Sequence, residues 1–398
     1  MRAGVDRRAM VALSGGHMAT DFAGGALPAL LPFFRDKFSL SYTLAAALVL
    51  GSTFASSIIQ PLFGVWSDRH GALWLLPGGT ALAGVGIALA ADAPSYPLVF
   101  GLVVVSGIGV AAFHPEGSKF ASYVSGQKRA SGMSYFNIGG NLGYALGPLV
   151  ATAIVLWLGL KGGLLLMIPG IVAAVVLVGL TAYLRRFVPE RVVGSRHEGV
   201  DRPWAMANLL GVVAFRTTAW FGLLVFVPLW EVSLGHSKAS GGRLLALMLL
   251  SGGIGTLVLG PLADRYGRRL VLRCSVAAMP PLILVFITVG GVPGAIALAL
   301  VGACTVGTFG VTIVLAQDYL PTQIGLASGL SVGFAIGLGG IAAVLLGVIA
   351  DSVSLQTALY VCALAPIPGL LLALLLPPGR TVGSTTTPTT GEATWQRA

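Results

Sequence analysis

Two ionisable side chains, His17 and Asp21, interrupt the first long apolar stretch of the chain and stand four residues apart. On a helix this spacing puts both side chains on one face. An ionisable group within a bilayer costs about 2.5–3.5 kcal/mol on insertion scales, so those that persist usually face a cavity and serve a function. Burial raises the pKa of a carboxylate, and a neighbouring positive charge lowers it. A histidine beside a carboxylate can therefore exchange protons.

A second acidic and histidine pair, His114 and Glu116, lies at the end of the fourth apolar stretch. This stretch runs back toward the side on which the first one begins, and Pro115 can bend it. All four side chains are therefore expected to approach the membrane from the same side and to form one cluster. We hypothesise that Asp21 and Glu116 carry protons and that His17 and His114 tune them.

A purely structural role is the alternative for each of these groups. His17 and Asp21 would then be a satisfied pair that holds the first helix against the fourth. Glu116 would cap the adjoining loop or pair with Lys119 or Arg129 at the membrane interface.

Arg216 is the sole charge deep within the second half of the chain, and Trp220 follows it by one helical turn. A guanidinium beside an aromatic face suits a planar or anionic ligand such as a carboxylate or a phosphonate. Alternatively, Arg216 is the counter-ion of Asp21 or Glu116 across the two halves of the chain.

Amide side chains offer further candidates for substrate binding. Asn137 and Asn141 stand one turn apart in the fifth apolar stretch, where they can hydrogen-bond a substrate or a neighbouring helix. Gln60, Gln317 and Asp318 are weaker candidates, and Gln317 and Asp318 are expected close to the cytoplasmic surface.

The composition indicates which elements position these groups. Hydrophobic residues make up 56% of the 398 positions and charged residues 10%, whereas a soluble domain is about half apolar and a quarter charged. A spanning helix needs about 20 mostly apolar residues. Twelve stretches meet that length, at approximately 9–34, 44–65, 72–91, 96–118, 130–157, 162–184, 206–232, 241–262, 270–289, 294–317, 324–350 and 354–376. The chain is therefore predicted to be an all-α membrane protein with 12 transmembrane helices.

The charged residues lie mainly in the breaks between apolar stretches. The net charge of +10 comes with no aromatic and basic face on a soluble domain, which argues against nucleic-acid binding. Of the 24 basic residues, 18 fall on the side that carries both termini and five on the opposite side. Lysine and arginine are retained in the cytoplasm, so both termini are predicted to be cytoplasmic.

The longest charged break divides the chain. Residues 1–184 are predicted to form an N-terminal six-helix bundle, 185–205 a cytoplasmic linker and 206–376 a C-terminal six-helix bundle. Residues 377–398 are rich in Thr, Gly and Pro and have little to bury, so a mobile cytoplasmic tail is predicted.

Several chemistries have no sequence support. Cys274, Cys304 and Cys362 lie in or beside apolar stretches without CxxC spacing, which suggests neither a disulfide framework nor a zinc site. The chain also has no HExxH motif and no Walker loop. We therefore predict no metal, no cofactor and no enzymatic activity.

Two eight-residue loops of the chain share the same residue at four positions. Gly64-Val-Trp-Ser-Asp-Arg-His-Gly71 and Gly260-Pro-Leu-Ala-Asp-Arg-Tyr-Gly267 begin 196 residues apart. The segment Ala130-Ser-Gly-Met-Ser134 recurs as Ala327-Ser-Gly-Leu-Ser331 at an offset of 197. A duplicated six-helix unit predicts two pseudo-symmetric bundles with a central site between them, an arrangement typical of transporters.

The repeated loops are interpreted as conformational latches. An acidic and basic pair on the cytoplasmic face can hold neighbouring helix ends in one state and release them when the bundles rock. Ordinary anchoring by positive charge on the cytoplasmic side is the alternative. The shared positions are Gly64, Asp68, Arg69, Gly71, Gly260, Asp264, Arg265 and Gly267.

The loops match the Gly-x-x-x-Asp-Arg-x-Gly pattern of the major facilitator superfamily, which the chain resembles. A narrower resemblance, to the fosmidomycin-resistance family of bacterial efflux proteins, covers nearly the whole chain. It is carried by His17-Met-Ala-Thr-Asp21, Phe113-His-Pro-Glu-Gly-Ser118, Ala316-Gln-Asp-Tyr-Leu-Pro321 and Ser328-Gly-Leu-Ser-Val-Gly-Phe334. It implies a proton-driven drug exporter of the inner membrane.

Helix 5 contains a pattern similar to the antiporter motif of drug exporters. Gly143, Gly147 and Pro148 match it, whereas Ala151 and Thr152 replace its later glycine pair. The match favours export. In helix 4, Val103 stands where many proton-coupled members of the superfamily carry an arginine.

The sequence therefore predicts a multi-pass secondary transporter of the bacterial inner membrane. It is expected to work as a monomer in the lipid bilayer, by alternating access, on a small-molecule substrate and protons. The favoured function is a proton-coupled antiporter that exports a small drug-like or anionic compound. The alternative is an uptake symporter or exchanger for a small organic anion.

Overall fold

The computed structural model describes residues 4–188 and 200–378, and every regular element in these ranges is a helix. Two short 3-10 helices, Gly163–Leu166 and Arg185–Phe187, flank α6. The α-helices are α1 Arg7–Phe38, α2 Tyr42–His70, α3 Leu75–Asp92, α4 Tyr96–Val124, α5 Arg129–Gly162, α6 Met167–Leu184, α7 Pro203–Ser233, α8 Lys238–Tyr266, α9 Arg268–Thr288, α10 Gly291–Gly307, α11 Phe309–Tyr319, α12 Ile324–Ser352, α13 Leu355–Leu364 and α14 Pro366–Leu374.

Ten stretches of the described residues are long and apolar enough to cross a membrane. The run through α5 and α6 counts as one stretch of 57 residues, Ser131–Phe187, and α1 is not among the ten. Helix α1 contains both the His17 and Asp21 pair and a charged last turn, which lower its hydropathy. An all-α membrane fold is therefore shown, whereas the count of twelve spans and the cytoplasmic termini stay predictions.

Two segments predicted as single helices are interrupted. The segment 294–317 becomes α10 and α11, which separate at Thr308, and 354–376 becomes α13 and α14. Thr308 donates its hydroxyl to the carbonyl of Cys304 at 2.7 Å, so the side chain competes with the backbone ladder at this point. The break leaves Thr308 Oγ1 facing α7.

The predicted linker, 185–205, is only partly described. Residues 189–199 lie outside the described ranges, as do residues 379–398 of the predicted tail. At the end of the linker, Asp201 accepts hydrogen bonds from the backbone N–H of Thr322, at 3.0 Å, and from its hydroxyl. These bonds hold the pKa of the Asp201 carboxyl below its ordinary value. They fasten the start of α7 to the turn before α12.

Helices α1 and α5 pack closely in the first half. A methyl group at Gly143 would overlap the carbonyl oxygen of Met18, and one at Gly147 would crowd the backbone of Phe22 and Ala26. Close backbone approach of this kind requires small residues. The glycines of the antiporter-like motif therefore lie in a helix contact of the first half.

The two predicted halves meet through α2 with α12, α5 with α8, and α1 with α7. One end of this junction is sealed, and we call it the closed end. There the Asp351 carboxylate of α12 accepts hydrogen bonds from the backbone N–H of Tyr42 at 2.8 Å and of Thr43 at 2.9 Å. Lys238 of α8 pairs with Asp36 of α1 at the same end. Charged contacts between helices of both halves thus close this end.

The helices separate at the other end, which we call the open end. A methyl group at Gly260, Gly329 or Gly333 would meet no atom within 4 Å. On α2, Leu62 and Val65 are exposed. The structure is therefore closed where α1 ends and open where α1 begins.

Candidate functional site

A cavity of about 400 Å³ lies between the helices of the two predicted halves. Its wall is mostly apolar, with polar groups contributed by α1, α2, α4 and α5 on one side and by α7 and α10 on the other. The polar and aromatic residues of the cavity wall include Asp21, Gln60, His114, Asn141, Tyr144, Arg216, Thr217, Trp220 and Phe221.

Three of the four predicted proton-coupling residues meet at this cavity. His17 Nε2 lies 3.1 Å from Asp21 Oδ2, and His114 Nε2 lies 3.2 Å from Asp21 Oδ1. Both carboxylate oxygens of Asp21 are thus contacted by an imidazole. Asp21 and His114 line the cavity, whereas His17 is buried behind them. We call these three residues the proton cluster.

The imidazoles are held in place from behind. His17 Nδ1 lies 2.9 Å from the carbonyl oxygen of Phe136, and His114 Nδ1 lies 2.9 Å from that of Val110. The His17 ring also stacks on the ring of Phe136 at 4.1 Å. A methyl group at Gly140 would overlap both His17 and Asp21, so this glycine makes room for the cluster.

Spacing alone would also allow a metal ion, because one ligand atom from each of His17, Asp21 and His114 lies within 4.8 Å of the others. The direct contacts from each imidazole to the carboxylate account for this spacing without an ion. The absence of a metal and of a cofactor stays a prediction.

Glu116 belongs to a different network. Its side chain is 1% exposed and accepts hydrogen bonds from the hydroxyl of Ser67 and from Lys119 Nζ, the latter at 2.8 Å. Ser67 lies in the first repeated loop, so Glu116 ties the end of α4 to that loop. The expected four-residue cluster therefore contains three residues, and the contacts of Glu116 agree with the alternative in which it pairs with Lys119.

Arg216 is 2% exposed and lies on the opposite wall of the cavity. Its Nη1 donates a hydrogen bond to Thr308 Oγ1 at 2.8 Å. Its Nε has no hydrogen-bond partner among the described residues, and no ion pair joins Arg216 to Asp21 or Glu116 there. Trp220 lines the same wall, so the structure brings the predicted pair together at the cavity.

The predicted amide side chains divide between two places. Asn141 lines the cavity and lies against Gly253 of α8, and Gln60 also lines it. Asn137 is exposed, and neither it nor Gln317 belongs to the cavity wall.

Sequence reasoning missed Tyr144, Thr217 and Phe221, which also line the cavity. Their positions carried a signal, because each lies one to five residues from a predicted site residue. Tyr144 stands one turn beyond Asn141, and Thr217 and Phe221 directly follow Arg216 and Trp220.

The repeated loops shape helix ends in this state. Gly71 ends α2 with a φ of 64°, and Gly267 ends α8 with a φ of 98°. Both values lie in the region that favours glycine. Gly64 and Gly260 precede these ends within α2 and α8.

The described charges of the repeated loops make their contacts within their own half. Asp264 is exposed and lies 4.0 Å from Arg268, which pairs with Asp318 at 2.8 Å. Arg265 lies over the ring of Tyr266. Arg69 is exposed, and the side chain of Asp68 lies outside the description. Among Arg69, Asp264 and Arg265, no hydrogen bond or ion pair reaches the opposite half.

The chain is similar to known membrane transporters. The family model of the Major Facilitator Superfamily matches residues 13–344 and 209–396. The "Uncharacterized MFS-type transporter YfnC" of Bacillus subtilis (strain 168) is 31% identical over 380 residues, covering 91% of this chain and 90% of the relative. The "Fosmidomycin resistance protein" of Escherichia coli (strain K12) is 28% identical over 376 residues, covering 93% and 92%.

Solved structures support the same fold. A bacterial homologue of the human lysosomal transporter Spinster, in an inward-facing and occupied conformation, matches with a TM-score of 0.78 at 13% identity, covering 92% of this chain and 96% of that one. A D-xylose-proton symporter matches with a TM-score of 0.72 at 15% identity, covering 93% and 96%. The resemblance drawn from the sequence is confirmed, and the relatives are membrane transporters rather than enzymes. The chain therefore belongs to the Major Facilitator Superfamily of multi-pass membrane transporters.

Proposed function

We propose that the protein is a proton-coupled antiporter that exports a small anionic compound across the bacterial inner membrane. The observation that carries this proposal is one cavity with chemically opposite walls. The proton cluster lies on the wall built by α1 and α4, and the buried cation Arg216 lies on the wall built by α7.

The wall with Arg216 suits the anionic group of a substrate. A buried donor without a partner costs about 1–3 kcal/mol, and more when it is charged. The Nε of Arg216 is such a donor, so a carboxylate or phosphonate that reached it would remove this cost. Trp220 and Phe221 beside it offer apolar surface to the body of the ligand. A cavity of about 400 Å³ is within the range for small ligands.

The wall with the proton cluster supplies coupling. Asp21 and His114 contact the same cavity as the substrate site. A substrate with hydrogen-bond donors can take over the carboxylate oxygens of Asp21, for which protons otherwise compete. Mutually exclusive occupancy of one carboxylate is what an antiporter needs.

Alternating access would then proceed by rocking of the two six-helix halves, residues 1–184 and 206–376. The charged contacts of Asp351 and of Lys238 would hold the closed end in the present state. The repeated loops, at Arg69 and Arg265, would act as latches when the open end closes. With cytoplasmic termini, the open end faces the cytoplasm, where an exporter loads.

Export is supported by the similarity to the relative whose name states fosmidomycin resistance. One observation favours the second candidate, an uptake symporter for an organic anion. Arg216 and a fully protonated cluster are both positive, so an anion and protons would attract each other into the cavity. A substrate without hydrogen-bond donors would then move together with protons.

Proteoliposomes that contain the purified protein test the proposal, with the phosphonate fosmidomycin as the probe. An antiporter accumulates the drug in vesicles whose interior is more acidic than the medium. A symporter accumulates it in vesicles whose interior is more alkaline. Accumulation that ignores the pH gradient contradicts proton coupling, and the absence of any transport removes fosmidomycin-like phosphonates as substrates.

A further inference from the structure

We infer that the proton cluster binds two protons rather than one. This inference rests on the proposed role of Asp21, His17 and His114 as the coupling site. It follows from counting hydrogen-bond donors and acceptors around the two imidazoles.

The Nδ1 atom of each ring contacts the backbone. His17 Nδ1 and His114 Nδ1 each lie 2.9 Å from a backbone carbonyl oxygen, of Phe136 and of Val110. A carbonyl oxygen only accepts hydrogen bonds. Both Nδ1 atoms must therefore carry a hydrogen, in the neutral and in the charged form of the ring.

The Nε2 atom of each ring contacts the Asp21 carboxylate. His17 Nε2 and His114 Nε2 face separate oxygens of Asp21 at 3.1 and 3.2 Å. A neutral ring that already carries its hydrogen on Nδ1 presents a lone pair at Nε2, and an ionised carboxylate has only acceptors. Each of the two contacts therefore needs a hydrogen between its atoms.

The count does not depend on where these hydrogens reside. Two imidazolium rings around an ionised Asp21 contain two protons more than the neutral rings with the same carboxylate. A protonated Asp21 that donates to one ring and accepts from the other, charged ring contains the same number. The two protons belong to the coupled group and not to individual residues.

The groups around the proton cluster argue against other arrangements of its hydrogens. Reversal of the His17 ring would place carbon atoms where Nδ1 contacts Phe136 and where Nε2 contacts Asp21, so both polar contacts would be lost. Besides Asp21 and His114, the ionisable groups of the cavity wall are Tyr144 of α5, which interacts with Asp21, and Arg216 of α7. No other acid belongs to the cavity wall within the described ranges.

Two protons change the cluster from a net charge of −1 to +1. When the protons leave, two nitrogen lone pairs and a carboxylate face one another, and the contacts between α1 and α4 repel. The loaded cluster therefore holds the two helices together, and the empty cluster is expected to release them.

Nuclear magnetic resonance of the full-length protein in nanodiscs tests the count, with ¹⁵N-labelled histidine and ¹³C-labelled aspartate. The chain has five histidines, and His17→Gln and His114→Gln identify the two cluster signals. We expect Nδ1 of both rings to carry a hydrogen at every pH. Between the loaded and empty states, we expect two protons to leave, summed over both rings and the Asp21 carboxyl.

Asp21→Asn is the matched control. An amide can donate to one Nε2 and accept from the other, so this variant satisfies the same contacts with one proton. Wild-type protein that loses only one proton, or a cluster ring with a bare Nδ1, would overturn the inference. The measurement needs no substrate, so a one-proton result leaves proton coupling itself intact, and failed coupling leaves the count intact.

Discussion

Thr20 of α1 and Arg216 of α7 occupy matching positions in the repeat, 196 residues apart. The hydroxyl of Thr20 bonds to the carbonyl of Gly16 at 2.9 Å and to Thr80 at 3.1 Å, within its own half. Arg216 lines the cavity and bonds to Thr308, and its Nε has no hydrogen-bond partner among the described residues. The same position of a repeated helix thus packs in one half and offers a charge in the other.

The next position shows the reverse. Asp21 corresponds to Thr217, again 196 residues apart. Asp21 meets His17 of its own helix and His114 of α4, whereas the hydroxyl of Thr217 bonds to the carbonyl of Val213 in its own helix. Matching positions of the repeat therefore place an acidic residue on one wall of the cavity and a basic residue on the other.

Replacing the Asp21 carboxylate should have the largest effect on the difference between the two walls of the cavity. Asp21→Asn is expected to reduce pH-driven transport to the level of protein-free vesicles, because the amide keeps the shape but removes the carboxylate for which protons and substrate compete. Thr217→Asn places the same amide at the matching position of the other wall and should retain coupling. Dye-reported proton flux in proteoliposomes measures both variants. Equal loss in both would show that coupling is not confined to the first half.

Removing the cation should affect affinity instead. A hydrogen bond to a charged group contributes about 1.5–3 kcal/mol, so Arg216→Gln should weaken fosmidomycin binding by about 10- to 100-fold. Isothermal titration calorimetry checks this value. Arg216→Lys keeps the charge but lacks the planar guanidinium donors, so its affinity for fosmidomycin should lie between those of the wild type and Arg216→Gln. Unchanged affinity in the glutamine variant would remove Arg216 from the substrate site.

Near each repeated loop an acidic side chain forms an ion pair, and its removal should have the same effect on stability in both halves. Glu116→Gln removes the buried charge that holds Ser67 and Lys119, and Asp318→Asn removes the partner of Arg268. Each should lower stability by about 1–3 kcal/mol without abolishing proton coupling. Thermal unfolding in detergent, followed by the transport assay, measures both effects. Loss of coupling in Glu116→Gln alone would restore Glu116 as a proton carrier.

The contact at the closed end should give the smallest effect. Asp351 accepts hydrogen bonds from the Tyr42 and Thr43 amides at the start of α2. Loss of a capping side chain costs about 1 kcal/mol, which corresponds to about a fivefold faster exchange of those amides in Asp351→Ala. Hydrogen exchange measures this, and the first turn of α8, capped by Ser237, serves as an internal control. Unaltered exchange at α2 would mean that Asp351 does not hold this end.

Much of the frame could be predicted from the sequence, because apolar length and a repeated loop are properties of the chain itself. The contact of His17 with Asp21 followed from helical spacing, and the approach of His114 followed from the direction of α4. The place of Glu116 did not follow, because it stands two residues from His114 and points about 200° around the helix from it. Which neighbour it meets is decided by the packing of α2.

Other features depended on contacts that spacing does not encode. The room that Gly140 leaves for the proton cluster depends on how closely α5 approaches α1. The break at Thr308 places a hydroxyl opposite Arg216, whereas an apolar stretch of that length predicts an uninterrupted helix. Both features arise from the rotation and spacing of packed helices.

The division of labour between the two walls is tested most directly by separating substrate exchange from proton-driven transport. Proteoliposomes loaded with unlabelled fosmidomycin take up the labelled drug by exchange at equal pH on both sides, and accumulate it only when a pH gradient is imposed. We predict that Asp21→Asn keeps exchange and loses gradient-driven accumulation, whereas Arg216→Gln loses both. Gradient-driven accumulation in Asp21→Asn, or exchange at the wild-type rate in Arg216→Gln, would contradict it.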